Sequence, residues 1–599
     1  MRPGARLFGW LALGLLVSLS GCDVNSGDSE STAITVEVTN VPGTLTVNQS
    51  VNLTATVAND SKNAGVDWTC SPGGQCGSFN PMHTADGGTT VFTAPSAPGP
   101  ITITATSTAN TSATDTASVS IVVGSNALLN GPYVFLVRGI DTSGGYFASG
   151  TILADGQGKI TAGERDYADA SIVTGPDSVT GSYTIGPDGR GSITLNVANS
   201  SGANNGVETF SVALTSSKHA LIIQFDGTAT SSGTLDFQRA GSTDASAVSG
   251  PYAFATNGFD IGNETPLALG GVVALDSASG AVTGGKIYVN DGGNYSEFDL
   301  TGTMTAPDSF GRGTIALAAG MDFVYYAVRP EVLRLIEPDE PNTASAGTAY
   351  AQGPMGASSA FSNTLLTGSF VFYESGSSSL GRLALAGQFT SDGKGGFTTG
   401  VVDTNNAGTI SGGSIAGLGD YAISGAGIGT LTLPGTAGTT QDVVNLLLFA
   451  TDPTLNLLDP NATTGGGGAL ILDVDTAAVG AGLIVPQSGG VFQGNYAMNL
   501  QAISSTGQTD IVGQSAADGA GSLAGTADIN NAGKRSGGTT LSGESTADTA
   551  NPGRWTGTLA AGTNSFKIVY YQVSSAILLV LDINTTDVGN GFLEAEQID

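Results

Sequence analysis

Between Gly131 and Met498 one short pattern, a glycine followed at alternate positions by an aromatic and then an apolar residue, is written four times. The copies are Gly131-Pro-Tyr133-Val-Phe135, Gly250-Pro-Tyr252-Ala-Phe254, Gly368-Ser-Phe370-Val-Phe372 and Gly494-Asn-Tyr496-Ala-Met498. Their offsets are 119, 118 and 126 residues, so the chain must accommodate four tandem copies of whatever one copy folds into. A second pattern closes three copies at Gly233–Gln238, Gly347–Gln352 and Gly591–Gln597, whereas the third copy, read as closing at Gly468-Ala-Leu470, lacks the glutamine. Between these marks lie Asp155-Gly156, Asp392-Gly393, Asp518-Gly519 and a degenerate Asp276–Gly280, and Asp-Gly supplies the positive φ that a tight hairpin needs. Runs such as Gly191-Ser-Ile193-Thr-Leu195 and Gly429-Thr-Leu431-Thr-Leu433 alternate with period two, the mark of a strand with one buried face. More strongly apolar hairpins follow: Phe210–Leu214 with Ala220–Phe225, Phe323–Val328 with Val332–Ile336, Asn445–Phe449 with Leu455–Leu458, and Phe566–Val573 with Ala576–Leu581.

About eight short strands in roughly 105 residues, joined mostly by hairpins, predict one small closed eight-stranded barrel per unit, over residues 126–239, 249–353, 365–474 and 491–598. An eight-bladed propeller with two blades per unit is the alternative, and separate sandwiches are a third. Composition agrees with an all-β chain, because charged residues are only 12% while glycine supplies 90 of 599 residues, and helix surfaces need far more Glu, Lys and Arg. Stretches rich in Gly, Ala and Ser at 239–248, 353–364 and 475–490 read as short flexible linkers, which favours beads on a string. The opening strands resemble lipocalin- and streptavidin-like barrels in general form, without a family motif.

The N-terminus reads MRPGARLFGWLALGLLVSLSGC, two arginines and then an apolar run too short to span a bilayer, which is a secretory signal over residues 1–21. Leu19-Ser20-Gly21-Cys22 resembles the lipobox of bacterial lipoproteins, and the resemblance implies that Cys22 carries the lipid. Acyl chains contribute about 0.8 kcal/mol per buried methylene, enough for stable anchoring when several are present. Residues 22–32 then form a polar tether, and the expected address is the cell envelope of a diderm bacterium, anchored most naturally to the outer membrane and facing periplasm or surface.

Residues 33–124 alternate polar and branched residues in short runs, as sandwich strands do. Trp68, the run Thr90–Pro95 and the run Ile101–Ser107 resemble bacterial immunoglobulin-like domains of the group-2 kind, a resemblance that implies a spacer or adhesive module and carries no catalytic residue. With Cys22 lipidated, Cys70 and Cys76 are the only cysteines left to pair, and so short a loop gains about 2 kcal/mol by chain entropy.

A net charge of −31, or −33 without Arg2 and Arg6, repels phosphate backbones and excludes nucleic acid as a partner. His83 and His219 are the only imidazoles and neither adjoins a nucleophile motif; zinc lacks ligands for the same reason. The sharpest ligand candidates are Asp403-Thr-Asn405-Asn406-Ala-Gly408 and Asp528-Ile-Asn530-Asn531-Ala-Gly533, echoed by Asn290–Asn294. Alternating oxygens at Asp403, Asn405, Asp528 and Asn530 suit Ca²⁺, but Asn and Asp stabilise hairpin corners equally well and no bidentate glutamate follows. No other cofactor is expected. Tyr133, Phe135, Tyr183, Tyr252, Phe254, Phe370, Phe372 and Tyr496 either line ligand cavities inside the barrels or fill them. The resulting expectation is a non-enzymatic envelope lipoprotein for adhesion, scaffolding or capture of a polysaccharide or protein ligand. A hydrolase working with carboxylates alone is one alternative, marked by two acids facing each other in a single unit, and a plain spacer is the other.

Overall fold

The computed structural model describes residues 33–47, 49–169, 173–198, 204–339, 343–353, 360–415, 417, 419–433 and 444–598; the signal segment, Cys22 and the tether lie outside the described residues. Regular structure among the described residues is antiparallel strand, apart from two single-turn 3-10 helices at Asn126–Leu128 and Asn363–Leu366. The N-terminal module has one sheet ordered Thr35–Thr39, Ser50–Ala58, Thr89–Thr93, Ser78–Asn80, and a second in which Thr114–Val122, Gly99–Ser107, Val66–Ser71 and His83–Thr84 follow one another. Trp68 is buried and donates its indole N–H to Thr84 Oγ1 at 3.0 Å, and Cys70 and Cys76 form the expected disulfide.

Residues 121–599 belong to a separate compact unit that holds all four repeats. Repeat 1 is a closed eight-stranded barrel running from Asn130–Asp141 to Ala229–Phe237, with Tyr133 of the first strand opposite Phe237 of the last. Repeat 4 closes in the same way, from Gln493–Ser504 to Asp587–Ala595. In repeat 2 the fourth strand is broken into Asn294–Asp299 and Gly302–Met304, and the circuit closes through Thr265–Asp276 against Ala281–Asp291. In repeat 3 it is broken into Thr409–Ser414 and Asp420–Ile423, leaving a nine-stranded sheet bridged back at Gly396–Asp420. One barrel-type unit per repeat replaces the propeller alternative.

Two readings in repeat 3 are corrected. Leu455–Leu458 is not a strand; the partner of Val444–Ala450 is Ala469–Asp473. Its apolar residues imitate a strand because the loop 451–468 buries Leu455 and Leu457 in a core between barrels. The stretch 475–490, read as a linker, contains the last strand, Ala478–Pro486, which pairs with the first strand, Thr367–Ser378. Gln487 then stands five residues after Gly482, as Gln238 does after Gly233, so the glutamine missing from the third copy is present beyond the inserted loop.

The repeated aromatic explains where this insertion was possible. Tyr133, Tyr252 and Tyr496 each send a hydroxyl to the hairpin between the sixth and seventh strands, donating to the carbonyls of Ser217 (2.7 Å), Pro330 (2.5 Å) and Ser575 (2.6 Å). Phe370 has no hydroxyl to give, and in its repeat that hairpin is the one replaced by the long loop. The aromatics themselves are core. Each barrel interior is filled by its own apolar cluster, and in repeat 2 the space left beside Phe254 is only about 10 Å³. Among the described residues these aromatics fill the barrel interiors rather than line a cavity.

The barrels are not beads. First strands are buried on both faces: Tyr133, Phe135 and Val137 point into barrel 1, whereas Val134 and Leu136 enter a core shared by all four barrels with Ala253, Val371 and Val569. The stretch 239–248 is likewise packed rather than loose, with Ser242, Ala247 and Val248 buried.

Losing one hydroxyl tether leaves a carbonyl unpaired, so Tyr252→Phe and Tyr496→Phe should each lower stability by about 1 kcal/mol in urea denaturation. Phe370→Tyr should gain nothing, because the hairpin it would reach is absent.

Candidate functional site

The third strand of each barrel packs on the fifth and sixth strands of the next, and the contact is rebuilt at equivalent positions. From barrel 1, Asp166 accepts from Arg312 Nε (2.6 Å) and Nη2 (2.8 Å) and from the Tyr326 hydroxyl (2.6 Å) of barrel 2. From barrel 3, Asp403 accepts from Arg554 (2.7 and 2.8 Å) and Tyr571 (2.5 Å) of barrel 4. Arg312 lies opposite Tyr326, and Arg554 opposite Tyr571, on paired strands. The position is apolar at the second junction, where Tyr288 stacks on Phe449 of barrel 3 with ring centroids 5.7 Å apart. At the fourth it is Asp528, which accepts from Ser211 Oγ (2.5 Å) and Arg190 (3.5 Å) of barrel 1. Barrel 4 thus returns to barrel 1, and the four form a closed cycle.

Two residues further on, an asparagine amide reaches the carbonyls at the end of the next barrel's seventh strand. Asn290 meets Asp473, Asp475 and Ala478; Asn405 meets Asp582, Asn584 and Asp587 at 2.7–3.0 Å; Asn530 meets Gln224 and Ala229. The Oδ1 of each accepts an N–H from its own turn, Gly293, Gly408 or Gly533, at 3.0 Å. The closing glutamines add a third latch: Gln238 donates to Phe310 and Ala327 of barrel 2, Gln352 to Ala426 and Ala450 of barrel 3, and Gln487 to Gln572 of barrel 4.

The four calcium candidates therefore lie at two different junctions, Asp403 and Asn405 between barrels 3 and 4 and Asp528 and Asn530 between barrels 4 and 1. The Asp403 oxygens face a guanidinium and a phenol, and the side-chain oxygens of Asn405 and Asn530 are taken by backbone N–H groups. No group of three or more His, Cys, Asp or Glu is arranged for a metal among the described residues.

What the cycle encloses is the strongest candidate site. Arg138, Asn257, Ser375 and Gln501 hold the same position on the four first strands, seven residues after the repeat glycine. Gln501 Nε2 donates to the Arg138 carbonyl (3.1 Å), Arg138 Nη1 to Asn257 Oδ1 (2.7 Å) and Asn257 Nδ2 to the Ser375 carbonyl (3.2 Å), a head-to-tail chain around the axis. On one side lies a cavity of about 190 Å³, lined from all four barrels by Leu136, Ala255, Tyr373 and Asn499 among others. On the other lies one of about 100 Å³, bordered by Phe147, Phe259, Arg382 and Gln508. Leu457 and Leu458 of the inserted loop line the larger cavity, and Tyr350 fixes the loop through the Leu457 carbonyl (2.6 Å).

Charge is arranged along this axis. His219 is fully buried, with Nδ1 2.7 Å from Asp236 of its own barrel and Nε2 3.0 Å from Glu594 of barrel 4, and Arg334 of barrel 2 reaches Asp236 at 2.5 Å. Burial alone would lower the His219 pKa, but Glu594, Asp459 and Asp236 lift it well above the ordinary range, so the ring is held as a cation. Burial raises and the Arg334 and His219 charges lower Asp236, and the charges win, holding it at about 2. This clasp joins three barrels, and sequence reading missed it because His219 sits in an ordinary hairpin turn.

Paired carboxyls, the mark of the hydrolase alternative, do occur in barrel 3. Glu374 and Asp473 are 0% and 1% exposed; burial and their mutual proximity raise Glu374, and burial lifts Asp473 to about 7. They are buried together in the barrel wall rather than facing each other across a cleft. Asp582, at the matching place in barrel 4, is raised by burial to about 7, and Asp510 to about 8.

No protein-family model matches the chain, and no curated protein matches it. Among solved structures it is similar to kievitone hydratase from Nectria haematococca, at 11% identity and a TM-score of 0.19, over 41% of this chain and 96% of that one. At that score the likeness bears on neither fold nor function.

Asn405→Ala strands three carbonyls and should cost about 2–4 kcal/mol in urea denaturation, while millimolar Ca²⁺ should leave the wild-type melting temperature unchanged. The pH dependence follows from the raised groups. Asp473, Asp510 and Asp582 have folded pKa values above the unfolded carboxylate range near ~4, so their contribution is complete only below that range and is lost progressively as pH rises to about 7–8; His219, raised well above its ordinary value, adds a loss in the same direction at higher pH. Urea midpoints should fall between pH 5 and pH 8, and Asp473→Asn with Asp582→Asn should flatten that fall; a midpoint that rises over this range would refute the assignment.

Proposed function

We propose that the protein is a lipid-anchored envelope protein, held through Cys22, that captures a small polar ligand on the axis of its four-barrel ring without turning it over. The anchor is supported by the lipobox-like segment and the polar tether that follows it. Residues 33–124 serve as an immunoglobulin-like spacer in the chain between Cys22 and the repeats, with the outer membrane as the address. The observation that carries the binding reading is the axial cavity of about 190 Å³, lined by all four barrels. Binding sites are concave, enclosed and furnished with a few convergent polar groups, which describes the axis and not the filled barrels. Adhesion through four independent modules draws no support from barrels that bury their first strands in one another. One shared site replaces four weak ones, so the repeats act by enclosing rather than by avidity.

The test is a thermal melt of residues 23–599 against a panel of small sugars, sugar acids and envelope-derived oligosaccharides. A compound that binds the native ring must raise the midpoint, by an amount set by its concentration over its Kd. It should be recovered chemically unchanged, and the shift should vanish in Asn257→Leu/Gln501→Leu, which closes the axis with apolar groups. A shift that survives that variant places binding elsewhere and contradicts the proposal. Palmitate labelling in a bacterial host, lost in Cys22→Ser, checks the anchor.

A further inference from the structure

The chain holds 19 basic residues against 50 acidic ones, and most of its buried and half-buried arginines are spoken for. Arg165, Arg312, Arg334 and Arg554 each meet a carboxylate. Arg138 and Arg382 do not. Arg138 spends Nη1 on the neutral Asn257 amide, and Arg382 lies 5.9 Å from the centroid of the Phe259 ring, a packing on the ring face that leaves the guanidinium edge free to donate. Both line the smaller axial cavity, about 100 Å³, and no Asp or Glu lines it with them. The other polar side chains on its wall are amides and hydroxyls: Asn257, Gln501, Gln508, Asn590, Ser375 and Ser377.

Burial lowers the pKa of both guanidiniums, and for Arg138 the nearby Arg334 charge pushes in the same direction. Asp510, a carboxyl in contact with this wall, accepts from Gln508 at 2.8 Å, and burial holds it at about 8, so at neutral pH it is mostly protonated and supplies little counter-charge. Two cations without an anion are unfavourable in a desolvated site, more so within a chain that has acids to spare. A planar guanidinium presents paired N–H donors matched to the oxygens of a carboxylate, sulfate or phosphate.

We propose that the smaller axial cavity is an oxyanion site in which Arg138 and Arg382 together bind one carboxylate, sulfate or phosphate group of a small molecule, assisted by the Asn257, Gln501 and Ser375 side chains. This rests on the axial-capture reading above and names its ligand class. The site is incomplete in any single repeat, since Arg138 comes from barrel 1, Asn257 from barrel 2, Arg382 and Ser375 from barrel 3 and Gln501 from barrel 4. It also gives a strongly acidic protein a means of holding an anion that its overall charge would repel.

The experiment is calorimetric titration of residues 23–599 with sulfate, phosphate, glucuronate and neutral glucose, at an ionic strength fixed with chloride. Saturable binding of at least one oxyanion, weakened at least tenfold in Arg138→Gln and in Arg382→Gln and largely retained in Arg382→Lys, supports the site. Glucuronate binding where sulfate and phosphate fail identifies a carboxylate; the reverse order identifies an inorganic or ester oxyanion. Arg382→Met serves as the folding control, because removing a half-buried charge that meets no carboxylate should leave the anion-free melting temperature equal or higher. Failure of every oxyanion to bind, or equal binding by the glutamine variants, overturns the proposal. Saturable glucose binding without any oxyanion binding would overturn it while leaving axial capture standing.

Discussion

Everything in the ring depends on first strands that are buried on both faces. In an ordinary eight-stranded barrel the outer face of a strand meets water, and the fold ends there. Here Val134, Leu136, Ala253 and Val371 carry apolar side chains outward into one common core, and each fully buried valine or leucine contributes about 1.5–3 kcal/mol. That core brings carbonyls and carboxylates of neighbouring barrels out of water, and buried polar groups must then be paired. Asn405 and its equivalents, the closing glutamines and the Asp403–Arg554–Tyr571 cluster meet that demand. Hydrophobic burial drives the assembly, while the amides fix which barrel edge meets which.

The axial site is a consequence of the same geometry. Four first strands converge on one axis, each presenting the residue seven places after its repeat glycine. The repeats have diverged there to Arg138, Asn257, Ser375 and Gln501, which satisfy one another in sequence and leave cavities on either side. Where the junctions need sameness the repeats keep it, and where the axis needs difference they lose it. The loop 451–468 departs from the pattern at the same axis: it stands in the repeat that carries Phe370 in place of the tyrosine, and its Leu457 and Leu458 form part of the cavity wall.

Much of the fold was legible in the chain. Spacing of the Gly-x-aromatic marks gave the four units, Asp-Gly turns gave the hairpins, and strand count gave the barrel. Asp155 and Asp518 do cap their turns by accepting backbone N–H groups, as the turn chemistry implies. The cycle was not read, although its signal was present. Tyr133–Val137 is continuously apolar and Phe210–Leu214 is broken only by Ser211, whereas Arg190–Ala198 alternates, and a strand without alternation is one with two buried faces. Asp403, Asn405, Asp528 and Asn530 drew notice as oxygen-rich turns, yet their recurrence in register reflects a surface each repeat must present to the next. His219 and Arg382 gave no local signal at all, because their partners are distant in sequence and come together only when the cycle closes.

A chain of four self-sufficient domains and a ring with a common core differ most plainly in how they come apart. Differential scanning calorimetry of residues 125–599, compared with repeat 2 expressed alone over residues 249–353, separates them. A common core predicts one cooperative transition for the ring, with calorimetric and van't Hoff enthalpies in agreement, and an isolated repeat 2 that is unfolded or melts far lower. Several resolved transitions, with isolated repeat 2 melting where one of them lies, would contradict the account.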